Sequence, residues 1–119
     1  MEEIIVFGIG KYYETKKSSI SENYKVVLGI DNSVLPSESK DVDGLQVINP
    51  ADLKEGNNRI FLMSVHFITM WKQLVELGID PNRIVLPFDI KPFFENDEAI
   101  SGELKNIIFE KEIIINYRP

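Results

Sequence analysis

The chain has no cysteine, a single histidine and no excess of positive charge. The first absence excludes disulfides and thiolate metal sites, and it suits a reducing, cytoplasmic setting. His66, the lone histidine, cannot assemble a metal centre by itself. With 13 Lys and Arg against 19 Asp and Glu the net charge is −6, and no basic patch offers itself to a nucleic acid. No apolar stretch approaches the roughly 20 residues that a membrane helix needs, so no membrane insertion is expected. The acidic start Met1-Glu2-Glu3 is not that of a signal peptide. Also missing are the phosphate-loop pattern G-x-x-x-x-G-K-[ST] and the paired acids that a phosphate-receiver domain carries after its first strand.

What is present is a globular composition. Hydrophobic residues make up 44% of the 119 and charged residues 27%, which argues for one folded domain and against disorder. The apolar runs Ile4-Ile5-Val6-Phe7, Val26-Val27-Leu28-Gly29-Ile30, Leu45-Gln46-Val47-Ile48, Arg59-Ile60-Phe61-Leu62-Met63 and Arg83-Ile84-Val85-Leu86 predict five strands. Between them, residues 11–22 predict a first helix with few buriable side chains: Tyr12, Tyr13 and Ile20. Lys16 and Lys17 fall in its middle, either on a solvated face or with their stems laid along apolar surface. Residues 33–44 read as a loop. Asn49 is a candidate N-cap with Pro50 at the first position of a helix of one or two turns. Phe67, Met70, Trp71, Leu74, Val75 and Leu77 form the apolar stripe of the clearest helix. Gly78 ends it and Pro81 prevents its return.

Strands alternating with helices predict an α/β fold: a doubly wound parallel sheet in three α/β/α layers. The expected strand order is 3-2-1-4-5. Residues 1–89 form the expected nucleotide-binding domain. Residues 90–119 break the alternation and read as an irregular C-terminal extension, with Phe93-Phe94 covering an edge. Ile107-Ile108-Phe109 and Ile113-Ile114-Ile115 form a hairpin, or a helix and a strand. An ending so close to the most apolar run fits a piece of a longer protein and, equally, a small protein that closes on an edge strand.

In such a sheet ligands bind beyond the carboxyl ends of the strands, where the strand order reverses. That crevice should be faced by Gly8, Gly10, Lys11 and Tyr12, by Asp31-Asn32, by Ser64-Val65-His66 and by Pro87-Phe88-Asp89. Gly8 permits a sharp turn, and Gly10 lets a diphosphate approach backbone amides at a helix start. Tyr13 stands where a third glycine would complete the G-x-G-x-x-G pattern, and should push the helix outward or turn its ring into the crevice mouth. Asp31 follows Gly10 by 21 residues, the position of an acid that accepts from a ribose diol; alternatively, Asp31-Asn32 only begins a turn. Ser64 reads as the N-cap of the clear helix, and His66 as a ligand hydrogen-bonder or a residue of no special role rather than a catalytic group.

Taken together, "IVFGIGKYYE", "YKVVLGIDNS", "DGLQVINPADL" and "LVELGIDPNRIVLP" resemble a bacterial module across residues 3–88. It is the Rossmann-like N-terminal domain of sugar-modifying acyltransferases and capsule-type nucleotide-sugar dehydratases, a module also joined to some glycosyltransferases and methyltransferases. The resemblance implies that Gly8, Gly10, Lys11, Asp31 and Asn32, with Ser64, hold a nucleotide-sugar such as a UDP-sugar, or NAD. The hexapeptide repeats of the acyltransferases are absent, and Tyr12/Lys16 and Tyr13/Lys17 are misplaced for a dehydratase dyad. The expectation is therefore a non-catalytic binding module of a polysaccharide-building protein, part of a sugar-modifying transferase. An NAD-binding oxidoreductase or epimerase domain, or a ligand-free interaction domain that positions a catalytic one, are the alternatives. A downstream catalytic domain or a second copy of the chain is the expected protein partner.

Overall fold

Four-residue apolar runs with no alternation demand burial on both faces, and β1 (Glu2–Phe7) has it. Its side chains split by parity. Ile5 and Phe7 enter one core cluster, and Ile4 and Val6 another. The computed structural model describes residues 1–86. The expectations for Pro87-Phe88-Asp89 and for the 90–119 extension lie outside the described residues.

Around β1 stand α1 (Lys11–Ser21), β2 (Tyr24–Ile30), β3 (Ser39–Val42), β4 (Leu45–Ile48), β5 (Ile60–Leu62), α2 (Phe67–Glu76) and β6 (Ile84–Val85). Single 3₁₀ turns occupy Pro50–Asp52 and Pro81–Arg83. The sheet has six strands in the order β3-β4-β2-β1-β5-β6. All neighbours are parallel except β3 and β4. This order departs from the five-strand, all-parallel expectation, and the departure is β3, an antiparallel edge strand within the segment read as a loop. Its cause is Asp43-Gly44, which join β3 to β4 with φ of 51° and 86°. Both central residues are thus left-handed, as a two-residue hairpin turn matched to strand twist requires. Val42 pairs directly with Leu45 across it.

β2 departs from its apolar reading at one residue. The register with β1 slips between Ile4 and Ile5, leaving Val27 as the extra residue of a bulge. Its side chain is 38% exposed.

One helix covers each face. Phe67, Met70, Trp71 and Leu74 of α2 pack with Ile5, Phe7, Ile30, Ile60 and Leu62. Ile20 of α1 packs with Ile4, Val6, Phe61 and Met63 on the other side. The closure of α2 follows the sequence reading: Gly78 has φ +88°, its amide donates to the Val75 carbonyl, and the Ile79 amide reaches back to Leu74. Trp71 lies in this core, and among the described residues its indole N–H has no partner. No described helix is long and apolar enough to cross a membrane.

Asn49 pins the link between β4 and β5. Its Oδ1 accepts from the Ala51 amide at 2.9 Å, capping the 3₁₀ turn, while Nδ2 donates to the Val34 carbonyl at 2.8 Å. The side chain is buried, so truncation leaves two backbone groups without partners. Asn49→Ala is expected to lower the urea unfolding free energy by about 1–3 kcal/mol, and Asn49→Asp, which keeps the cap but turns a buried carboxylate oxygen on the Val34 carbonyl, by at least as much.

Candidate functional site

The glycine turn after β1 is cast against three consecutive residues of β2 and its end: Gly29, Ile30 and Asp31. The Ile30 carbonyl accepts from the Gly8 amide at 2.9 Å. Gly29 leaves a notch for the Ile9 side chain, since a Cβ there would stand 2.8 Å from Ile9 Cδ1. Asp31 then takes the Ile9 amide on Oδ2 at 2.8 Å. On the other flank, Gly8 has φ +100°, and an added Cβ would lie 3.0 Å from the Met63 carbonyl oxygen and 3.1 Å from Met70 Cε. Gly8 is therefore required twice, by conformation and by space. Gly10 is different. Its φ of −108° is open to any residue, and a Cβ there meets nothing within 4 Å.

Asp31 is bonded on both oxygens, Oδ1 receiving the Ser33 amide at 2.9 Å. Burial acts to raise its pKa. The Ile9 amide, the Ser33 amide and hydroxyl, and the charge of Lys40 outweigh it and hold the carboxyl below its ordinary range. Asn32 beside it is engaged as well. Its carboxamide exchanges two hydrogen bonds with Gln73 of α2, at 2.9 and 2.8 Å.

Beyond the strand ends these elements enclose a crevice of about 500 Å³, within the usual range for small-molecule sites. Every described residue expected to bind lies along it: Gly8, Gly10, Lys11, Tyr12, Asp31, Asn32, Ser64 and His66. Phe7, Met63 and Met70 supply its apolar floor. Sequence reasoning missed Gly29, Ile9, Gln73 and the two methionines. A glycine inside an apolar strand was the available signal for the notch.

Of the local expectations, one needs correction and two are narrowed. Ser64 does not cap α2. The cap position is His66, and Ser64 Oγ accepts from the His66 amide at 3.1 Å in the turn before the helix. Tyr13 does not enter the crevice. It packs with Tyr12 against the face that carries α1, where burial raises its pKa. Lys16 and Lys17 are half-buried, one lying 5.9 Å from the Tyr12 ring centre and the other pairing with Glu14 at 3.0 Å. The Lys17 ammonium sits at the surface between Glu14 and Asp43, as on a solvated face.

The N-terminus of α1 opens at Gly10 with no side chain capping it. Helix-start amides and the positive end of the dipole thus meet the crevice beside Lys11. A second hollow, of about 560 Å³, lies over Ile5, Leu28 and Ile48. Glu38, Asp52 and Glu55 outnumber Lys54 and Arg83 around it, which disfavours an anion. Among the described residues no group of three His, Asp or Glu is placed to hold a metal ion.

Fold and crevice define an α/β domain with a hollow at the carboxyl ends of a mostly parallel sheet. The chain belongs to the C2185-like, N-terminal family, whose model matches residues 1–85. No curated protein matches the chain.

Two predictions follow from this geometry. Gly8→Ala is expected to cost about 1–2 kcal/mol or more of stability from its left-handed φ alone. Asp31→Asn places an NH₂ against one of two amide donors, and at neutral pH is expected to cost about 1–3 kcal/mol in urea unfolding. Because the folded carboxyl has the lower pKa, its contribution is full above the ordinary value of 3.8 and disappears as pH falls through the folded value. The gap between wild type and Asp31→Asn should therefore narrow in acid; a gap independent of pH contradicts the assignment.

Proposed function

We propose that this domain is a non-catalytic module that holds a nucleoside diphosphate, in the form of a nucleotide-sugar, within a polysaccharide- or glycan-building protein. The observation that carries the reading is Gly10. It stands at an uncapped helix start, with room for a ligand and no conformational need to be glycine. A position that any residue could occupy, left bare where helix amides open into a crevice, is what close anion approach requires. The chain is acidic overall, so backbone amides with Lys11 are asked to supply the grip that basic side chains supply elsewhere. The sugar pathway comes from the resemblance of the ordered set of segments, above all "GIDN" followed by "GLQVINPADL", to Rossmann-like domains of sugar-modifying enzymes. On this reading, the helix on each face makes the domain one half of a doubly wound, three-layer fold.

Gly10→Ser tests the reading without disturbing the fold. Serine is a preferred N-cap, so its hydroxyl satisfies the amides that an anion would use. The variant is expected to match or exceed wild-type stability by a few tenths of a kcal/mol, about 0.3. A UDP-sugar at about 100 times its dissociation constant should stabilise the wild type by about 2.7 kcal/mol and leave Gly10→Ser unaffected. Equal stabilisation of both proteins rejects the site. Stabilisation by NAD alone identifies a dinucleotide domain instead, and stabilisation by neither leaves an interaction domain without a ligand.

A further inference from the structure

A parallel sheet is covered on both faces, as a rule by the helices of its crossovers. Here β1 crosses to β2 through α1 and β5 to β6 through α2, but the crossover from β4 to β5, residues 49–59, holds only the 3₁₀ turn Pro50–Asp52. Part of the α2 face is therefore left without a helix. Ile5 is buried there, while Leu28, Ile48 and Leu53 stay half-buried, and together they floor the hollow of about 560 Å³. That volume suits one small molecule. The wall of the hollow is held in place. Ser37, at φ +69°, donates its amide to Asp52 Oδ2 at 2.6 Å, which ties the segment before β3 to the turn after β4. Charge then selects the occupant. Glu38, Asp52 and Glu55 stand on the rim against Lys54 and Arg83. The ion pairs among the described residues lie elsewhere, and Arg83 turns its Nε to the Asn58 carbonyl at 2.9 Å. The chain itself is a poor source of cover. A second copy in a two-fold contact faces these carboxylates with themselves, and residues 87–119 carry seven acidic against four basic side chains.

We propose that this hollow is a ligand site separate from the crevice and takes a small organic cation, an ammonium or guanidinium group carried on an apolar body. The body lies on Leu28, Ile48 and Leu53 and removes their exposed surface from water. The cation meets the carboxylates of the rim. A neutral molecule of the same shape gains the burial but takes water from those carboxylates without replacing it, and an anion is repelled by them. The site shares no residue with the crevice, so it stands whatever the crevice binds.

Phenethylammonium, phenethyl alcohol and phenylpropanoate carry the same ring on similar chains and differ in charge, so they test the inference. Titrated into the ¹⁵N-labelled whole chain, phenethylammonium should give saturable amide shifts that are largest at Leu28, Ile48 and Gly56. It should bind at least about threefold more tightly than the alcohol, with the carboxylate weakest. Glu38 and Glu55 are exposed, so neutralising them leaves the fold alone. Glu38→Gln combined with Glu55→Gln should weaken phenethylammonium about threefold and leave the alcohol unchanged. Equal affinity for the ammonium and the alcohol, largest shifts outside the hollow, or no saturable shift with any of the three overturns the inference. So does a double variant that binds phenethylammonium as the wild type does. Should that variant not fold, the wild-type ratio and the position of the shifts still decide.

Discussion

The bond from the Ile9 amide to the Asp31 carboxylate fixes the part of this protein on which the rest of the site depends. It joins the turn after β1 to the end of β2, residues 22 apart in sequence. Parallel neighbours need a crossover between them, so their carboxyl ends meet only through such side-chain or backbone links. Here three links act together: the Ile30 carbonyl on Gly8, the Gly29 notch under Ile9, and Asp31 on the Ile9 amide. They hold Gly8 and Ile9 rigidly and leave Gly10 and Lys11 to face the crevice. A turn that is pre-formed does not charge its ordering entropy to ligand binding.

On the proposed reading, the same arrangement lets an acidic chain offer an anion site. Net charge describes the whole surface, while the field inside a crevice is set by the nearest dipoles and charges. At the crevice these are the start of α1, the Lys11 ammonium and the Asp31 carboxylate. Asp31 opposes an anion, but its charge is spread into two amide bonds, one of them made by the turn itself. The hollow over Ile5 and Leu28 has more volume and an excess of carboxylates at its rim, and so has the opposite character. Membership in the C2185-like N-terminal family covers residues 1–85, the span that contains every link described here.

Much of this was legible in the sequence because burial writes strong patterns. Apolar runs marked β1, β2, β4, β5 and β6, and the stripe from Phe67 to Leu74 marked α2 together with the glycine that ends it. β3 escaped because Ser39, Lys40 and Asp41 are exposed on an edge strand, which leaves no hydrophobic signal. The Asp43-Gly44 pair was the sign that it existed. The crevice residues were legible from topology, since strand ends and glycines locate a switch point without any contact being known. What Asp31 does there was not legible. Spacing marks an acid at the end of β2, but that it accepts the Ile9 amide depends on where that amide points, which no local pattern records. Of the two readings of Tyr13, the ring in the crevice mouth does not hold, for a related reason: a position in a glycine motif does not tell which side of the helix its ring will follow.

The central claim is that backbone amides at Gly10 and Lys11 grip the ligand. Amide chemical shifts of ¹⁵N-labelled protein, followed during titration with a UDP-sugar, test it most directly. The account predicts saturable shifts that are largest at Gly10 and Lys11, with Lys54 and Gly56 beside the acidic hollow unmoved. Largest shifts at Lys54 and Gly56, or none at Gly10 and Lys11, would contradict it.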